Sequence, residues 1–228
     1  MPNSDLIKAV LKGVDGLKPL PTTVTRALKL MEEPDTSIRE IVAVIAVDQA
    51  LSARLLKFAN SAYYGFPHQV TTLHEAVTRL GLRRTKNLLF TLSYSSLLGR
   101  RVASYNLGNG VLWRHSIAVA MTSQRLAERV AYAAPDEAYM GGLLHDIGKL
   151  MLDQYFKVNW DHLLGLGQTY QLTLIEAEKR LLGLDHAEVG AELARKWELP
   201  ACLVEAIAYH HFPGAAVDSP KLAAIVHL

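Results

Sequence analysis

Three features of the 228-residue chain predict an all-α fold. Helix-capping boxes recur, alternating apolar–polar runs of strand type are scarce, and glycine or proline falls at helix-length intervals. Helices of ordinary length would then number roughly a dozen. The expected architecture is a two-part helical bundle.

The elements follow in order. The opening "MPNSDLIKAVLKG" is polar, lacks the apolar core of a leader peptide, and meets a helix stop at Gly13. Ser37 and Glu40 form a capping box ahead of Ile41–Val47. That run is β-branched enough to resemble a strand. The cap before it and the "DQALSARLLKFA" stretch after it favour helices. Asn60, Ser61, Tyr63, Tyr64 and Gly65 read as a turn, and Thr72 with Glu75 opens the next helix. Gly81 predicts a stop. Arg79, Arg83, Arg84 and Lys86 read as a solvated helix face.

"GRRVASYNLGNG", residues 99–110, is the best internal boundary, giving an N-terminal helical part at 1–105 and a second helical part at 106–228. In the second part "WRHSIAVAMTSQRLAERV" is one amphipathic helix, and Pro135 suits a first helical position. Thr173 with Glu176 and Asp185 with Glu188 are further capping boxes, and Gly183 is a stop. A helix from Asp185 ends before Pro200. "ACLVEAIAYHH" follows it, and Pro220 starts the last helix.

Composition narrows the function. Half the residues are hydrophobic and 20% are charged, enough for a sizeable core. A net charge of +2 is no electrostatic signature of nucleic-acid binding. The longest apolar run, Ile41–Val47, is too short to span a bilayer. The single cysteine, Cys202, rules out a disulfide framework within the chain and fits a reducing cytosol. A soluble, cytoplasmic protein is expected, with no nucleic-acid or membrane partner.

Six of the nine histidines lie between residues 115 and 211. His115 shares a helical face with Ala118, Val119, Thr122 and Leu126, which predicts an inward direction. In "GLLHDIGKL", His145 and Asp146 stand together in an apolar, helix-like run where burial is costly. Gly141 and Gly142 would let a neighbouring helix come close. Lys149 follows one turn later, either as an exposed cation near a helix end or as an ammonium for phosphate. His186 lies on a face with Val189, Gly190, Leu193 and Trp197. His210 and His211 close their helix. His68, His74 and His162 have no assignable partners. Each histidine alone has a bland explanation. Five of them with one aspartate, on four predicted helices, match the way helical bundles build metal centres. Imidazole and carboxylate without thiolate suit Fe, Mn, Zn or Ni.

His115, the His145–Asp146 pair, His186 in "DHAEVG" and the His210–His211 pair resemble the ligands of the HD superfamily of metal-dependent phosphohydrolases. "LKPLPTTVTRALKLMEE", "VDQALSARLLKFANSAYYGF", "LHEAVTRLGLRRTKNLLF", "LWRHSIAVA" and "DHAEVGAELARKWELPACLVEAIAYHH" resemble the HDOD family, the HD-related output domain of bacterial signalling proteins. That resemblance covers nearly the whole chain. It implies an all-α regulatory module that works through signalling partners. Phe212, Pro213 and Gly214 stand where the HD-GYP branch carries its GYP tripeptide, which argues against cyclic di-GMP hydrolysis of that type. The family's closing aspartate would follow "KLAAIVHL", past Leu228. Asp218 stands at the wrong end of that helix, and His227 carries only a low expectation of ligation.

Two readings follow. In the first, the chain is a signal-transduction output module with an HD-like, metal-binding core. In the second it is a metal-dependent phosphohydrolase with a nucleotide or other phosphoester ligand. Asp146 and Lys149 would then be its catalytic residues, and one or two divalent metals would sit on His115, His145, Asp146, His186, His210 and His211. An iron-dependent oxygenase of the HD type ranks last.

Overall fold

A computed structural model describes residues 20–156 and 160–227. The predicted stop at Gly13 and the polar amino-terminal stretch lie outside them. Among the described residues all regular structure is helical, apart from a single antiparallel bridge between Val102 and Leu107. No described helix is long and apolar enough to cross a membrane. The chain divides into two compact units between Ser96 and Leu97. This is ahead of the expected boundary at 105.

The first unit holds α1 (Thr22–Glu32), α2 (Ile38–Ala46), α3 (Gln49–Ala59) and most of α4 (Leu73–Leu98). Ile41–Val47 is helical, as its cap requires. The Ser37 hydroxyl accepts from Glu40 N and the Glu40 carboxylate accepts from Ser37 N. Val24, Ala27, Leu28, Ile41, Ile45, Leu51 and Leu55 bury the facing stripes. The Asn60 turn is stapled rather than loose. Asn60 Nδ2 donates to Leu56 O and Val70 O, and Asn60 Oδ1 accepts from Val70 N. The amide thus closes the 60–70 loop on itself. At Gly81 the backbone turns to φ 75°, ψ 162°, outside the helical region, so the predicted stop separates α4 into two helical stretches across a kink. The second capping box is also shifted: Glu75 accepts from Thr71 N rather than Thr72 N. Arg79 pairs with Glu75 and Lys86 with Glu32 on exposed surface, as expected of a solvated face.

The second unit begins with a 3₁₀ turn, Ala103–Tyr105, whose Ser104 N donates to Asp153 Oδ1. There follow α5 (Val111–Arg129), α6 (Pro135–Leu144), α7 (Gly148–Phe156), α8 (Trp160–Tyr170), α9 (Leu174–Leu182), α10 (His186–Lys196), α11 (Ala201–Tyr209) and α12 (Pro220–Val226). The capping boxes at Thr173 and Asp185 are both formed, and Gly183 closes α9 in the left-handed region at φ 80°. Helix α6 is central, against α5, α11 and α12, while α10 packs on α7 and α11.

Glycines make two of these approaches. A Cβ on Gly142 would lie 2.8 Å from Ala120 Cα and 2.9 Å from its nitrogen, so α5 could not close on α6. A Cβ on Gly148 would overlap the His186 carbonyl oxygen and lie 2.7 Å from Gly190 N. The start of α7 therefore rests directly on the backbone of α10, beside His186.

Candidate metal centre

The apolar run "GLLHDIGKL" is not one helix. Its first part ends α6 at Leu144, and its last part begins α7 at Gly148. His145, Asp146 and Ile147 form the turn between, closed by Ile147 N to Leu144 O and Lys149 N to Asp146 O. The break lets two adjacent residues aim at one point, where a continuous helix would set them about 100° apart. His145 is 5% exposed and Asp146 2% exposed.

The two Asp146 oxygens face different histidines. On one side Asp146 Oδ2 lies 3.4 Å from His145 Nε2 and 3.5 Å from His115 Nε2, and the two imidazole nitrogens are 3.2 Å apart. On the other, Asp146 Oδ1 lies 3.2 Å from His186 Nε2 and 3.9 Å from His210 Nε2. His211 Nε2 is 3.0 Å from His186 Nε2. Within each set, Asp146 with His186, His210 and His211, and Asp146 with His115 and His145, the donor atoms lie within 4.8 Å of one another. The five histidines predicted as metal ligands converge on the sixth predicted ligand, the Asp146 carboxylate.

His115 departs from the expected inward direction. The buried face of α5 is Leu112, Ser116, Val119, Ala120, Ser123 and Ala127, one residue round from the stripe read in the sequence. The His115 side chain is 51% exposed and reaches the cluster from its rim. Lys149 departs too. It is not an exposed helix-end cation, since its Nζ holds Asp146 Oδ2 at 2.6 Å with the side chain 14% exposed. The side chain of His162 lies outside the described residues. His227 joins from behind, its Nδ1 donating to His210 O at 2.6 Å.

The far nitrogens of the rings are tied down. His145 Nδ1 donates to Gly142 O and His210 Nδ1 to Ile207 O, each at 2.7 Å. Those bonds put the ring proton on Nδ1 and leave the Nε2 lone pair facing the centre. His186 Nδ1 instead meets the Glu178 carboxylate at 2.8 and 3.0 Å. Glu178 is fully buried on α9, also accepts from His186 N at 2.9 Å, and is held by the Tyr105 hydroxyl at 2.7 Å. Sequence reasoning missed Glu178. It reads as an ordinary helical glutamate, and only its place on the α9 stripe with Ile175 and Leu182, turned inward, would have singled it out.

Electrostatics separates the rings. Burial lowers His210 to about 2, with His145 pushing the same way. Burial and neighbouring His186 lower His211 to about 4. His186 is also buried, which alone would lower it, but its hydrogen bonds to Asp146 and Glu178 outweigh this and raise it to about 9. Burial opposes the Asp146 charge, yet neighbouring His145, the Lys149 ammonium and a hydrogen bond from His186 hold it well below the usual carboxylate range.

These shifts set how the metal-free protein responds to pH. His210 and His211 bind protons less readily when folded, so their contribution is present above about 6.5 and lost as pH falls toward 4 and then 2. His186 acts oppositely: its contribution is present below about 6.5 and lost as pH rises through 9. Urea midpoints of chelator-treated protein should therefore peak near pH 6.5 and fall on both sides. A midpoint that climbs steadily from pH 4.5 to 9 would contradict these assignments.

The residues fit a metal. His210 Nε2 is buried, has no hydrogen-bond partner among the described residues, and carries an unprotonated lone pair at neutral pH. A buried acceptor in that state costs about 1–3 kcal/mol unless something bonds to it. A cation placed between His210, His186, His211 and Asp146 Oδ1 would supply that bond.

The HDOD domain family matches residues 17–213 of the chain. An uncharacterized protein of Treponema pallidum (strain Nichols) is 30% identical over 90% of the chain, and the chain spans 40% of that relative's length. Among solved structures, an HDOD domain protein of unknown function from Geobacter sulfurreducens matches 97% of the chain and 74% of its own length, at 30% identity and a TM-score of 0.78. A protein provisionally named a phosphohydrolase, from Shewanella amazonensis SB2B, matches 96% of the chain and 77% of its own length at 30% identity and a TM-score of 0.76. A protein provisionally named for signal transduction, from Marinobacter aquaeolei VT8, matches 98% and 53% at 25% identity and a TM-score of 0.77.

Proposed function

Since the chain belongs to the HDOD domain family, we propose that it is a signal-transduction output module whose second unit holds divalent metal and which acts on protein partners. Metal binding is carried by one observation, the buried His210 Nε2, which has no hydrogen-bond partner among the described residues and lies 3.9 Å from the shared carboxylate. The output role draws on the family and on the likeness to the Marinobacter protein. Iron, manganese, zinc or nickel suits the donors.

A second reading, a metal-dependent phosphohydrolase, draws on a cavity of about 380 Å³ against His211, also lined by Lys179, Arg195, Tyr209 and Phe212. A bound metal would supply Lewis acidity toward a phosphate oxygen and lower the pKa of a water. Asp146 would hold the charge at the centre, and the Nδ1 bonds of His145 and His210 would keep their rings in place. Lys149 Nζ, at the edge of Asp146 Oδ2, would turn from that carboxylate toward a phosphate oxygen.

Elemental analysis of the purified protein, joined to a screen of nucleotides and phosphoesters, separates these. The output reading expects bound metal, no turnover, and metal loss in His210→Ala with the helical content kept. Turnover that vanishes in His145→Ala would install the phosphohydrolase instead. Protein that takes up none of the four metals would overturn the metal centre.

A further inference from the structure

We propose that the two halves of the centre are unequal: His186, His210, His211 and Asp146 Oδ1 take one divalent metal tightly, and His115, His145 and Asp146 Oδ2 take a second only weakly, in competition with Lys149. This rests on the metal reading above and extends it to loading order.

The halves differ in donor number, surroundings and charge. The first offers four donor atoms, the second three. Each half has one exposed ring, His211 in the first and His115 in the second, but the first adds two buried imidazoles, His186 and His210, where the second adds only His145. Behind the first stands the Glu178 carboxylate, fully buried, bonded to both His186 Nδ1 and His186 N and locked by Tyr105. An anion there raises the donor strength of the ring it holds and adds negative charge near the ion. Behind the second, among the described residues, stands the neutral Gly142 carbonyl. On it lies a cation. Lys149 Nζ holds Asp146 Oδ2 at 2.6 Å, closer than either imidazole of that half. A second metal must move that ammonium away or share the oxygen with it, and both cost binding energy. Glu178 is thus a positioning residue for the tight half, and Lys149 a built-in competitor at the weak one. Metal supply would then set whether the centre carries one ion or two.

The test titrates metal-free full-length protein with Mn(II), by calorimetry and by counting free Mn(II) from its paramagnetic resonance signal. The expected result is one tight equivalent and a second at least about tenfold weaker. Glu178→Gln keeps the shape and should weaken the tight phase about 10–100-fold, leaving the weak phase in place. Tyr105→Phe should weaken the same phase by a smaller factor. Lys149→Met should tighten the second phase about tenfold or more and leave the first alone. A general loss of structure would move both phases, so confinement of each effect to one phase is the signature. Two equal equivalents in the parent, or an unchanged second phase in Lys149→Met, would overturn the inequality. Lys149→Met decides the matter even should Glu178→Gln fold poorly. Uptake of no Mn(II), Fe(II), Zn(II) or Ni(II) at all would instead overturn the metal centre itself.

Discussion

Asp146→Asn is expected to empty both halves of the centre while leaving a folded, weakened protein. The carboxylate is the one group common to the two sets, one oxygen facing His186 and His210 and the other His115 and His145. An amide keeps the shape but loses the charge, and its nitrogen end donates where a ligand must accept. Metal affinity should therefore fall by more than the about 100-fold that loss of a supporting outer group can cost. The metal-free protein should also suffer. Lys149 and the protonated His186 lose a shared counter-ion, leaving Glu178 to balance His186 alone. Stripping one partner from a buried pair costs about 3–5 kcal/mol. Here about 2–4 kcal/mol is expected, because Lys149 is 14% exposed and can turn toward water. Elemental analysis and urea unfolding check both parts. Metal content equal to the parent's would show that Asp146 is not the shared ligand.

The second large effect belongs to a residue that binds nothing. Gly148→Ala would drive its methyl into the His186 carbonyl oxygen and within 2.7 Å of Gly190 N. Both obstacles are backbone, on a helix that is itself packed against α11, so neither can swing aside. Overpacking in a core costs about 1–3 kcal/mol and sometimes more. With only main chain to absorb it, about 3 kcal/mol or more is expected, together with loss of metal as α7 and α10 separate and Asp146 leaves His186. Gly165→Ala is the matched control. An added Cβ there meets nothing within 4 Å in the interior of α8, so stability should hold or rise by about 0.5–1 kcal/mol. Equal urea midpoints for the two alanine variants would refute the close approach of α7 to α10.

Much of this was legible in order along the chain. The capping boxes at Ser37, Thr173 and Asp185 predicted helix starts that the structure forms, because a cap is a local bond between residues three apart. Gly183 in the left-handed region is local in the same sense. His115 shows where periodicity fails. A stripe on α5 can be read one residue off, since neighbouring residues lie only about 100° apart and the true buried face is decided by what packs there. The turn at His145–Ile147 was hidden for a related reason: an apolar run with no proline, and with a glycine near its end, reads as continuous helix.

Sequence alone determined the helical class and the inventory of imidazoles and carboxylate, because those depend on residue type and on bonds within one turn. Tertiary structure decided the rest: that Asp146 stands between two sets of rings, that Lys149 leans inward upon it, and that Glu178 and Tyr105 support His186 from behind. Residues 73 positions apart, as Tyr105 and Glu178 are, meet only when helices pack. No local rule contains the direction in which a side chain will face once glycines have let those helices touch.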